Sequence, residues 1–223
     1  MGSSFNRNEL SETAMLRSNV YCFLAQVFLR SPEEAGFDRL LNNDIIGSLP
    51  EMFGATLTVR RLISYIERLR SNTNHKNKVI LDYRNLFAAP GSGKQNDDCT
   101  FGRVWGDATA SPKARLGTDC TRASLEIHEH IGVELQFLGF LCRSEGNVWK
   151  SGPENRAFKL RRWQAGFINE HFGPWLAEAC SKMNGLARTD FYRGIAAITQ
   201  DFVERDFSLL QSLTLQDKEE RVV

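Results

Sequence analysis

The segment Glu126-Ile127-His128-Glu129-His130-Ile131-Gly132-Val133-Glu134 gathers three carboxylates and two imidazoles into nine residues. Such groups hold metals, move protons or accept the guanidinium groups of a partner. On a helix, Glu126, His130 and Glu134 fall at four-residue steps and share one face, with Glu129 at its edge and His128 pointing away. A metal centre could use Glu126, His130 and Glu134, but the spacing is not the His-Glu-x-x-His of metalloproteases. It also lacks the Glu-x-x-His pair that diiron bundles need on two helices, and the chain holds no second copy. The plain alternative is a solvated helix start whose later turns enter the core.

Two further stretches hold candidate groups. Tyr83-Arg84-Asn85-Leu86-Phe87-Ala88-Ala89-Pro90-Gly91 ends a helix on two large apolar residues before a Pro-Gly turn. It offers either an apolar ledge or a helix end packed into the core. From Trp163 to Leu176, aromatics recur at helical spacing, a pattern read as core rather than as a cofactor site. Gly91-Ser92-Gly93-Lys94 is not a phosphate loop, because Gln95 stands where Ser or Thr is needed and a helix, not a strand, precedes it. No Gly-x-Ser-x-Gly elbow supports a serine nucleophile. The five cysteines are odd in number and include no Cys-x-x-Cys pair. Cys22, Cys142 and Cys180 fall in predicted helices and read as reduced, buried thiols.

Composition narrows the classes. With 28 Lys and Arg against 27 Asp and Glu over 223 residues, the net charge is +1, and no basic stripe would track phosphates. No nucleic-acid partner is expected. No apolar run approaches the roughly 20 residues that span a bilayer, so no stable membrane insertion is expected. The first residues carry neither a charged n-region nor an apolar h-region, and Asn6 stands where a myristoylation signal needs Ser or Thr. A cytoplasmic location is the expectation.

The elements that must position these groups are helical. Leu16, Val20, Phe23, Leu24, Val27 and Phe28 form one apolar stripe over 9–30, ended by Ser31-Pro32. Pro32-Glu33-Glu34 reads as a new helix start, with further helices over 57–70 and 76–87. Residues 89–119 hold Pro90, Gly91, Gly93, Gly102, Gly106, Pro112 and Gly117, and read as a long loop. A helix over 122–144 carries Ile127, Ile131, Leu135 and Leu138 on one face and Val133, Phe137 and Phe140 on another, so it is expected to be central and buried. Helices over 154–172, 174–184 and 190–213 complete the chain, with Gly185 as a C-cap and Thr189 or Asp190 as an N-cap. The fold class is all-α, a bundle of about eight to ten helices.

Three segments in this order resemble the TorD/DmsD family of cytoplasmic molybdoenzyme maturation chaperones. The resemblance lies in Tyr83, Leu86, Phe87, Pro90 and Gly91; in Glu126, Glu129, His130, Ile131, Glu134, Leu135 and Phe137; and in Phe167, His171, Phe172 and Trp175. Asp190-Phe191-Tyr192-Arg193-Gly194-Ile195-Ala196 also resembles the family's last helix. Glu129 stands where the family has Asp, and Cys99 to Asp107 shows no counterpart of its Pro-Tyr-Glu-Ser-Val-Tyr stretch. The resemblance implies an N-terminal subdomain (1–88), a hinge loop (89–121) and a C-terminal subdomain (122–223), together one TorD-like domain. It implies a non-enzymatic chaperone that binds the twin-arginine signal of a molybdenum-cofactor oxidoreductase until cofactor insertion is complete; some relatives form a homodimer by domain swapping, which a long hinge permits, and both monomer and swapped dimer stay open here. Carboxylates at Glu126, Glu129 and Glu134 would accept the arginines. Tyr83, Leu86 and Phe87 would line an apolar groove for the apolar part of the signal, and His130 would orient a carboxylate or donate to the peptide. No resident cofactor or metal is expected. The alternatives are a metal-dependent helical enzyme using Glu126, His130 and Glu134, or an assembly subunit that binds a folded partner.

Overall fold

The computed structural model describes residues 6–87 and 131–219, with side chains to 216, and among them every regular element is helical. The order is α1 (Arg7–Leu29), α2 (Ala35–Leu41), α3 (Asp44–Phe53), α4 (Leu57–Ser71), α5 (Thr73–Phe87), α6 (Ile131–Ser151), α7 (Glu154–Phe167), a π-helical turn (Ile168–Phe172), α8 (Gly173–Leu186) and α9 (Asp190–Glu219). The all-α expectation is borne out.

Local chemistry sets the boundaries. Asn6 caps α1 in a capping box, and its own backbone N–H donates to Glu9 at 3.3 Å. Asn43 and Thr56 cap α3 and α4 by accepting from Ile45 N and Val59 N. Gly54, at φ +73°, ends α3 in a conformation that side chains rarely adopt. The sequence reading leaves α3 unassigned although Ile46, Leu49 and Phe53 step along one buried face, because Pro50 stands inside the helix. The helix start expected at Pro32 is a turn instead, and Glu34 precedes α2. Gly185 lies inside α8, which runs on to Leu186 with Ala187 as its C-cap.

α1 and α6 make the most extensive pairing, running antiparallel through two matched rows of small residues. Gly132, Gly139 and Gly146 recur every seven residues on α6, facing Ala25, Ser18 and Ser11 on α1. Ser18 Oγ donates to the Gly139 carbonyl and Ser11 Oγ to that of Gly146, both at 2.8 Å. A Cβ on Gly139 would lie 2.9 Å from Cys22 Sγ, so the close approach depends on glycine.

One apolar core draws on α1 to α5 and on α6 to α9 alike. Two residues expected on buried faces lie outside it. Leu16 is 66% exposed and Phe140 is 63% exposed, so α6 is buried on the face of Ile131, Leu135, Leu138 and Cys142 rather than all round. Among the described residues, no helix is long and apolar enough to cross a membrane.

Candidate binding site

The end of α5 and the start of α6 meet at the last turns of α1. Phe87 packs edge-on to Phe28 with ring centroids 5.9 Å apart, and Tyr83 Oη donates to the Phe28 carbonyl at 3.4 Å. On the other side, a Cβ at Gly132 would lie 2.6 Å from Leu29 Cγ and 3.0 Å from the Ala25 carbonyl oxygen. Two segments 43 residues apart in the chain therefore share one support.

Within that region Tyr83, Phe87 and Tyr192 form an aromatic group, with Phe87 centred 5.1 Å from Tyr83 and 5.6 Å from Tyr192. Tyr83 and Phe87 are half-buried and present an apolar edge. Leu86 differs from its predicted role, because at 1% exposure it faces the core and supports the edge from below. Burial raises the pKa of the Tyr83 phenol, with the nearby Glu34 carboxylate adding to it, so it stays a neutral donor.

Asp82 ties this helix end to α9. Its buried carboxylate accepts from Arg188 N (3.0 Å), Thr189 N (2.8 Å) and Thr189 Oγ1 (2.5 Å). Residue type points to Thr189 or Asp190 as the N-cap of α9, yet the Thr189 hydroxyl donates to Asp82, and a carboxylate from another helix takes the free N–H groups.

Glu134 lies one turn into α6 and is 98% buried by side chain, with Oε1 3.6 Å from His171 Nε2. His171 sits in the π-helical turn, and its ring lies 5.0 Å from that of Phe167, which packs at 4.9 Å on Phe137 of α6. A π turn inserts one residue into a helix and re-aims the side chains around it. Apolar spacing alone runs an α-helix straight through 168–172. The signal for the widened turn is Gly173, where a Cβ would lie 2.7 Å from the Ile168 carbonyl oxygen. Asp82 is the residue here that sequence reasoning leaves out, and His171 enters that reasoning as a motif residue with no role in the site. The expectations for Pro90, Gly91, Glu126, Glu129 and His130 lie outside the described residues. Among the described residues, no cluster of three or more His, Cys, Asp or Glu could hold a metal.

The aromatic group of Phe167, Phe172 and Trp175 continues into the core, as its spacing predicts. Trp163, at 40% exposure, stays outside. Cys142 and Cys180 are buried free thiols and Cys22 is half-buried.

The described residues thus bring aromatic and carboxylate groups together on an all-helical scaffold. The model of a family described as nitrate reductase delta subunit, a TorD-type molybdoenzyme maturation chaperone, matches residues 109–181. The match bears out the resemblance read from the motifs, and the matched family is one of redox-enzyme maturation chaperones. No curated protein and no solved structure matches the chain.

Proposed function

We propose that the chain is a cytoplasmic chaperone that binds the twin-arginine signal of an apo molybdenum-cofactor oxidoreductase and holds the enzyme until its cofactor is in place. The family's description points to a client of the nitrate reductase type. The observation that supports this reading is that the last turns of α1 hold both Tyr83 and Phe87, through Phe28, and the described start of α6, through Gly132 against Ala25 and Leu29. A signal of this kind offers two guanidiniums and then an apolar, helix-prone segment. The guanidiniums pair with Glu126 and Glu129 through charge-assisted, bidentate hydrogen bonds, and the buried Glu134 carboxylate adds its charge from behind them. Tyr83 and Phe87 take the apolar segment, with Pro90 and Gly91 turning the chain beside it. His130 orients a carboxylate. A homodimer formed by domain swapping through residues 89–121 belongs to the same reading. Affinity in the micromolar range, about −8 kcal/mol, permits release once maturation is complete.

Calorimetric titration with synthetic twin-arginine peptides from nitrate reductase-type and related molybdoenzymes tests it, each beside an Arg-Arg→Lys-Lys control. Micromolar binding that weakens in the control is expected, as is weaker binding by Glu129→Ala and His130→Ala with unchanged circular dichroism. Unchanged affinity in both variants removes the site assignment. No binding to any peptide removes signal recognition altogether.

A further inference from the structure

A second surface lies along α6 and α7, lined by none of Tyr83, Phe87 and Tyr192. The two packed helices flank an open groove of about 840 Å³, with Phe140, Ser144 and Val148 on the α6 side and Arg156, Lys159 and Trp163 on the α7 side. Phe140 and Trp163 are large aromatics left 63% and 40% exposed, and the Lys159 ammonium lies 4.9 Å from the Trp163 ring centre. Apolar side chains of this size on a concave surface mark a place where something docks.

Charge decides what kind of partner fits. Over residues 131–167 the exposed cations are Arg143, Lys150, Arg156, Lys159 and Arg162. The acids in that span are Glu134 and Glu145, both buried, and Glu154, which pairs with Arg7 at 3.3 Å. Of the cations, Arg156 and Lys159 line the groove itself and no acid in the span does, so among the described residues its lining charge is positive. Arg156, Lys159 and Trp163 recur at helical spacing opposite Phe140, Ser144 and Val148, so the groove is a straight trough between two helices. A third helix fills such a trough by setting its own apolar ridge into it.

We propose that the α6–α7 groove binds an amphipathic helix of a partner protein, with its apolar stripe on Phe140, Val148 and Trp163 and acidic residues facing Arg156 and Lys159. The surface repels a twin-arginine signal and leaves that site free, so two segments can be held at once. Concavity favours a helix over a membrane surface, which would seat better on protruding apolar residues.

The test is fluorescence anisotropy on the full chain with two synthetic helical peptides of about 18 residues, five turns. Both carry leucines at i, i+3, i+4 and i+7, one flanked by glutamates and the other by lysines. The glutamate peptide is expected to bind and the lysine peptide not. An Arg156→Glu/Lys159→Glu double variant should weaken glutamate-peptide binding by at least about tenfold, and Phe140→Asp should do the same. All three positions are exposed, so circular dichroism should match the parent. The groove is overturned if both peptides bind equally, if neither binds, or if the variants change nothing. It is also overturned if the variants abolish pelleting with phosphatidylglycerol vesicles while leaving peptide binding intact, which would make the face a membrane contact. The double variant should keep its affinity for twin-arginine peptides; a parallel loss there would show one shared surface and overturn the separate groove.

Discussion

Asp82 shows how much one side chain can decide. It lies directly before Tyr83, is 1% exposed, and its carboxylate accepts from two backbone N–H groups and one hydroxyl at the start of α9. A carboxylate placed at a helix N-terminus satisfies orphan donors and faces the positive end of the dipole. Asp82→Ala leaves those donors buried without it and should cost about 2–3 kcal/mol. The measurement is the urea midpoint, read beside twin-arginine peptide affinity, because Tyr83 and Tyr192 lie on the two helices that Asp82 joins. A change in stability below about 0.5 kcal/mol would mean that water replaces the carboxylate without penalty. The sequence offers Thr189 or Asp190 for this cap because both are common N-cap residues. It cannot show that Asp82, more than a hundred positions away, reaches the same N–H groups.

At the scale of elements, the paired rows of small residues on α1 and α6 determine how closely the two helices approach. Gly139→Ala would put a methyl 2.9 Å from Cys22 Sγ and 3.3 Å from Tyr21 Cβ, with Ser18 bonded to the carbonyl of the same residue. Overpacking of that kind costs about 1–3 kcal/mol. Gly166→Ala is the control, since nothing lies within 4 Å of its added methyl and α7 should gain up to about 1 kcal/mol from the better helix former. Thermal unfolding of the two variants should therefore move in opposite directions. A neutral Gly139→Ala would show that α1 and α6 can separate without loss. The seven-residue glycine repeat is visible in the sequence, but its meaning depends on Ser11, Ser18 and Ala25 standing opposite. The sequence also runs one helix through 168–172, because apolar spacing does not separate a π turn from an α turn.

For the whole molecule, the centre is charged. Arg17 donates to Glu145 at 3.1 Å, to Gln164 at 2.5 Å and to Asp206 at 3.0 Å; Arg161 donates to Glu145 at 2.7 Å; and Tyr21 donates to Asp206 at 2.7 Å. The network joins α1, α6, α7 and α9, and among the described residues it brings two guanidiniums to two carboxylates. Burial opposes the charge of Arg17, but Cys142, Asp206 and Glu145 outweigh it and raise the Arg17 pKa well above the ordinary value. Burial also raises Tyr21, Tyr192 and Cys142, and it pushes Cys180 up to about 12. These groups hold their protons more tightly folded than unfolded, so their contribution is complete below the unfolded values, about 8.5 for thiols and 10 for phenols. It is lost as pH rises through the folded values. The urea midpoint should stay flat from neutrality to about pH 8.5 and fall steadily above about pH 9. A midpoint unchanged at pH 10.5 would mean that these groups titrate as freely in the fold as in the unfolded chain.

The sequence by itself determined the class of structure and the family resemblance, because apolar residues at three- and four-residue steps and the spacing of Tyr83, Glu134 and His171 are properties of the chain alone. Caps such as Asn6 are equally local, since the groups that meet lie within one turn. Only the tertiary structure decided that Leu86 faces inward while Phe140 faces out, that Asp82 caps a helix far along the chain, and that Arg17 and Arg161 meet Glu145 in the core. The reason is physical. Periodicity tells which residues share a face, but whether that face is buried, and what a buried charge finds there, depends on which distant helix packs against it.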